Sequence, residues 1–161
     1  MRAYIQFVVA ACLAVLAFSA GAQQGPLPYG MPISLETANK IAAGALAEAR
    51  KNNWGMAVAI ADPAGNLVAF QRLDDTQTAS VNIAVGKARS AAQFRRPTKV
   101  FQELLAKGSN FTYLLGLEGA VPVQGGIPIV IGGKIVGAVG VSGGTGDQDT
   151  QCAQAGLDTL K

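Results

Sequence analysis

The chain has 161 residues, half of them apolar and 14% charged, which is enough for one domain with a real core and excludes a disordered or low-complexity protein. Its 13 basic and 10 acidic residues leave a formal charge of +3. That balance, without aromatic-basic interleaving, gives no electrostatic case for a nucleic-acid partner. The sequence contains no histidine, so Ser-His-Asp, Cys-His and histidine-based zinc sites are excluded.

In chain order, Arg2, an apolar run from Phe7 to Phe18 and Ala20-Gly21-Ala22 predict a cleaved signal peptide over residues 1–22, hence a periplasmic or secreted protein. Val9-Ala10-Ala11-Cys12 outlines a lipoprotein box but sits too early in that run. No stable membrane insertion is expected after cleavage, because the apolar run is short for a span and none follows it. Without Arg2 the mature chain carries 12 basic against 10 acidic residues, and Cys152 is its only thiol. The expected role of Cys152 is a buried small residue. Residues 23–33, with three prolines and two glycines, predict an extended arm.

A single domain is expected over residues 34–161. Ser34 and the stripe Leu35, Ala38, Ile41, Ala42, Ala45 and Ala49 predict a capped helix ending near Asn52. Trp54 to Ala61 alternates strictly, with Trp54, Met56, Val58 and Ile60 on one face and small residues on the other. A turn at Asp62 to Asn66 returns the chain through Leu67 to Leu73. Thr78 is the expected cap of an alanine-rich helix through Ala92, and Thr98 that of a short helix ending at Gly108. The segment from Asn110 to Glu118 takes no assignment, and Val121 to Val123 is expected to add a fifth strand.

Ile127 to Ile131 and Lys134 to Ser142 flank Gly132-Gly133, which predicts a tight hairpin. Ile135, Val139 and Val141 are expected on one face of the second strand, and Val136, Ala138, Gly140 and Ser142 on the other. Both faces are apolar or small, as in a central strand. Gly137 and Gly140 imply close approach by a helix, another backbone or a flat ligand. The loop from Ser142 to Gly146 outlines a phosphate cradle, but no Gly-Lys-Ser/Thr follows, and Asp147 and Asp149 occupy the helix start; capping by Asp147 is the better account. The order α, β-β, α-α, loop, β-β, α is not a doubly wound alternation. It predicts an antiparallel sheet with helices on both faces.

The only basic cluster is Lys87, Arg89, Arg95 and Arg96, either a solvated surface or a clamp for a carboxylate-bearing ligand. Asp62, Asp74 and Asp75 sit beside turns, where capping is the expected role.

Four segments together, Asp62-Pro63-Ala64-Gly65-Asn66-Leu67-Val68-Ala69-Phe70, Gly86-Lys87-Ala88-Arg89-Ser90-Ala91, Gly125-Gly126-Ile127-Pro128-Ile129-Val130 and Gly137-Ala138-Val139-Gly140-Val141-Ser142-Gly143 followed by Asp147-Gln148-Asp149, resemble the GlcG/HbpS family. That family also holds the C-terminal domain of PduO-type proteins. The resemblance runs from about Ser34 to Leu160. It implies a profilin-like α/β fold with a central antiparallel five-stranded sheet and helices on both faces, homo-oligomers, and haem as a cofactor, with roles in haem handling or redox stress. Of the family's histidine-linked and threonine-linked ligation habits, a chain without histidine retains only the latter type. The metal candidates are Thr145 and Tyr113, with Tyr29, Met31 and Met56 as other available donors. Lys87, Arg95 and Arg96 are candidates for the propionates, and Gly125, Gly126 and Gly140 for a surface accepting the macrocycle. Two other readings stand beside haem binding. One is a small periplasmic enzyme acting on an organic acid, with Arg95 or Arg96 holding the carboxylate and Glu118 or Asp149 moving a proton. The other is a non-catalytic oligomeric module that binds a small molecule.

Overall fold

The computed structural model describes residues 25–161, so the signal segment expected over residues 1–22 lies outside the described residues. The elements are α1 (Leu35–Lys51), β1 (Ala57–Ala61), β2 (Leu67–Arg72), α2 (Ser80–Gln93), α3 (Lys99–Ala106), a 3₁₀ segment (Ser109–Gly116), β3 (Gly126–Ile131), β4 (Lys134–Ser142) and α4 (Gly146–Asp158). The strands form one antiparallel sheet in the order β2-β1-β4-β3, which puts the two most buried strands in the centre.

The alternation in β1 decides what packs where. Met56, Val58 and Ile60 face a large core with Ile41, Ala45 and Leu46 of α1 and Cys152 and Ala153 of α4. Ala57, Ala59 and Ala61 face Ala84 and Ala88 of α2 on the opposite side. The sheet is thus covered on both faces, as expected from the small-residue stripe.

Helix α2 lies unusually close to the sheet because β3 and β4 offer it glycines. A Cβ at Gly140 would run into the Ala84 carbonyl and the Ala88 amide, and one at Gly126 into the Lys87 carbonyl. On the other face of β4, a Cβ at Gly137 would meet the Ala61 carbonyl. Of the three partners open for these glycines, Gly140 and Gly126 take a helix and Gly137 a neighbouring strand. Gly132 and Gly133, at φ 56° and 73°, make the two-residue hairpin turn.

Several local expectations are corrected. Among the described residues there are four strands, not five: the Val121 amide donates to Ser90 Oγ and the Gln124 amide to Gln102 Oε1, so this segment spends its donors on side chains rather than on a ladder. Val136, expected beside Ala138, packs in the cluster of Val139 and Val141, because the β3/β4 register shifts between Ile129 and Val130 and breaks the alternation there. Helix α2 begins after Ala79, not Thr78, and has no side-chain cap. Thr98 stands at the start of α3, but its hydroxyl accepts from the Gly126 amide instead of capping. Thr145, not Asp147, caps α4: it accepts from the Gln148 amide while Gln148 Oε1 accepts from the Thr145 amide, a reciprocal capping box. The unassigned stretch after Gly108 is the 3₁₀ segment. The arm is extended and docked, with Tyr29 bridging Ile135 in parallel and the Ile33 amide donating to the Val136 carbonyl. Among the described residues, no helix is long and apolar enough to cross a membrane.

The glycine contacts set a stability expectation. Gly140→Ala should cost about 3 kcal/mol in urea unfolding, since a methyl group forces backbone apart, whereas Gly116→Ala, with open space around it, should unfold like the parent.

Candidate functional site

Two parts of the molecule bring together the residues singled out by their chemistry. The first is internal. Lys87 leaves α2 toward the sheet and is 1% exposed; its Nζ donates to Asp149 Oδ2 at 2.6 Å and to the Val141 carbonyl at 2.9 Å. The other carboxylate oxygen, Oδ1, accepts from the Gly144 amide at 3.0 Å. Gly125, at φ 116°, leaves room for this pair, since a Cβ there would lie 2.9 Å from Lys87 Nζ and 2.8 Å from Asp149 Cβ. Burial pushes the Asp149 carboxyl above its ordinary range, against the pull of the Lys87 ammonium and the amides of Gly144 and Gly143.

Lys87 therefore points inward and is spent on Asp149, away from any ligand carboxylate at the surface. Asp149, 2% exposed, faces Lys87 rather than a cleft. Gly125 surrounds this pair, and Gly126 and Gly140 are filled by α2, so none of the three presents a flat surface to a macrocycle. The other expected residues lie outside. Arg95, at φ 53°, places its guanidinium 5.3 Å from the centre of the Tyr29 ring, and Arg96 lies 5.8 Å from that of Phe101. Tyr113 is 59% exposed and its hydroxyl makes no hydrogen bond among the described residues. Thr145 is exposed at the start of α4, and of the two methionines named, Met56 is fully buried while Met31 is exposed.

The second part is an open groove where the Asp62–Asn66 turn meets the C-terminal half of α2. Asp62 holds the turn by accepting from the Asn66 amide and side chain. A polar hollow of about 360 Å³ is lined by Gly65, Asn66, Arg89, Gln93, Glu118 and Gly119. Both glycines have positive φ, 89° and 80°. A Cβ on Gly65 would strike Arg89 and Gln93, and one on Gly119 would press on Gln93. A second, apolar hollow of about 460 Å³ adjoins it through Ala64 and Gln93 and is lined by Tyr29 and Pro63. Gln93 Nε2 donates to the Ala64 carbonyl, and the Tyr29 hydroxyl to the carbonyls of Ala92 and Gln93, so the walls are tied to α2.

Glu118, the proton-transfer candidate, and Arg89 of the basic cluster both line this groove; Gln93 is not among the residues expected from the sequence. The signal for Arg89 and Gln93 is the i, i+4 spacing that puts both on the outer face of α2, opposite Lys87. Cys152 is buried, and burial pushes its thiol up to about 11. No cluster of three or more potential metal ligands occurs among the described residues.

Residues 33–158 match the family described as "Haem degrading protein HbpS-like". Over 110 residues the chain is 41% identical to protein GlcG of Escherichia coli K12, covering 68% of this chain and 81% of that one. It superimposes with TM-score 0.76 on a double mutant of HbpS from Streptomyces reticuli, at 32% identity over 87% of this chain and 94% of the other. The PduOC:heme complex aligns with TM-score 0.74 over 80% of this chain and 95% of the other; at 23% identity that likeness speaks for the fold.

Removing the Lys87 ammonium strands a buried carboxylate. Lys87→Met should therefore cost about 3–5 kcal/mol in chemical unfolding, and adding Asp149→Asn should restore part of the loss. Cys152 should resist iodoacetamide in the folded protein at pH 8 and react once unfolded. Because the folded thiol keeps a proton that the unfolded one loses above about pH 8.5, this group makes stability fall as pH rises from there toward about 11; Cys152→Ala should flatten that slope.

Proposed function

The chain belongs to the HbpS-like family, and on that footing we propose that it is an exported haem-binding protein acting in haem handling or redox stress. The observation that carries this reading is the family match over residues 33–158. Haem bound to the related PduOC fold and the family's description as haem degrading support it further.

The donor chemistry of the chain fits a haem held through oxygen. The sequence has no histidine, and Tyr113 offers an exposed, unpartnered phenol beside the exposed Leu115 and Leu117. Tyr113 would supply an oxygen ligand of the type haem iron accepts, and Leu115 and Leu117 would supply apolar contact. The 3₁₀ segment packs on α3, whose Phe101 lies under the Arg96 guanidinium, and this cation suits a propionate. Thr145 is the second oxygen donor of the right type. Its hydroxyl is engaged at the start of α4, which makes Tyr113 the stronger choice. When bound, haem supplies a redox-active iron; the protein's part is to hold it at an open surface. Homo-oligomers belong to the same reading, and Val130 and Ile131, exposed on edge strand β3, are apolar surface for a second copy.

Hemin added to the mature protein should give a shifted Soret band and saturable quenching of Trp54, the single tryptophan. Tyr113→Phe should remove the phenolate charge-transfer band and weaken binding about tenfold or more, a loss equal to about 1.4 kcal/mol. An unshifted Soret band with no saturation would sink the proposal.

A further inference from the structure

We propose that the groove between the Asp62–Asn66 turn, α2 and Glu118–Gly119 is a binding site for a free α-amino acid with an apolar side chain. This goes beyond haem binding and turns on Arg89 and Glu118, neither of which is a haem candidate above.

Three features of the groove converge on that class. The first is an unneutralised pair of opposite charges. Arg89 donates only through Nε, to the Gly65 carbonyl at 3.3 Å, and forms no ion pair among the described residues. Glu118 lines the same hollow and forms none either, although the two face one cavity. A simple anion there meets the Glu118 carboxylate, and a simple cation meets the Arg89 guanidinium. A ligand carrying both charges answers both: its carboxylate takes the free guanidinium nitrogens, and its ammonium donates to Glu118.

The second feature is a lining held in place. Gly65 and Gly119 have left-handed backbone, and a Cβ on Gly65 would collide with Arg89 and Gln93 while one on Gly119 would press on Gln93, so the glycines let these side chains lie against the turn. Arg89 and Glu118 thereby line one hollow that can take the charged end of the ligand. The third is the neighbouring apolar hollow walled by Tyr29 and Pro63 and shared through Ala64 and Gln93. Its volume of about 460 Å³ accommodates a leucine- or phenylalanine-sized group. The Tyr29 ring that receives it is fixed by its hydroxyl on Ala92 and Gln93 and by Arg95 above it.

Calorimetric titration and ¹⁵N-NMR of the mature protein test this with L-phenylalanine and L-leucine, alongside 3-phenylpropionate, which lacks the ammonium, and phenethylamine, which lacks the carboxylate. Saturable binding of an amino acid is expected, with shifts centred on the amides of Gly65 and Gly119. Each truncated analogue should bind about tenfold more weakly or worse, from loss of one charge-assisted contact. Arg89→Gln and Glu118→Gln should each abolish the preference over the matching analogue, while leaving the hemin spectrum unchanged. No saturation by either amino acid at millimolar concentration would overturn the proposal, as would equal binding of 3-phenylpropionate and phenylalanine, or affinity indifferent to both substitutions.

Discussion

A charged amine lies dry between α2 and the sheet, and the surrounding geometry follows from satisfying it. An ammonium out of water is tolerable only with a matched carboxylate and further acceptors. Lys87 has both, in Asp149 and the Val141 carbonyl. Asp149 in turn must stand at the first turn of α4 and receive the Gly144 amide, which fixes the loop between β4 and α4. Gly125 must lack a side chain for the pair to fit. One contact thereby locks a helix on one face of the sheet to a helix start on the other.

That lock explains which parts of the site were legible in the sequence. Alternation in β1, the alanine stripe of α2 and the double-glycine turn are local patterns, and each reads directly as the element it forms. A close approach is legible in Gly137 and Gly140, but not the partner, because helix, strand and ligand all require the same missing methyl group. Lys87 misled for a related reason. Its neighbours Arg89, Arg95 and Arg96 are exposed, and composition alone does not show which member of a basic cluster turns inward. Val136 was misplaced because a bulge adds a residue without leaving a mark in the pattern. The fifth strand failed because the Val121 and Gln124 amides find side-chain acceptors, Ser90 and Gln102, that lie 31 and 22 residues away.

The outer residues of α2 and its end serve different neighbourhoods. Arg89 and Gln93 look toward the Asp62–Asn66 turn, Arg95 toward the docked arm, and Arg96 toward α3. A chain without histidine has fewer ways to hold a metal tightly, so the shape and charge of these surfaces weigh more in what the domain recognises than in families built around an imidazole. The groove between the Asp62–Asn66 turn and α2 sets Arg89 and Glu118 on one hollow.

Heating changes the balance of these contacts unevenly. The cost of drying an ion pair falls as temperature rises, because the hydration of charges loses free energy with temperature. The Lys87–Asp149 link therefore weakens less than the thinly packed periphery. The 3₁₀ segment, which buries only Leu114, and the arm at Tyr29 should come loose before the sheet parts from α2. The outer surfaces are thus the first to soften, while the frame that carries them stays closed.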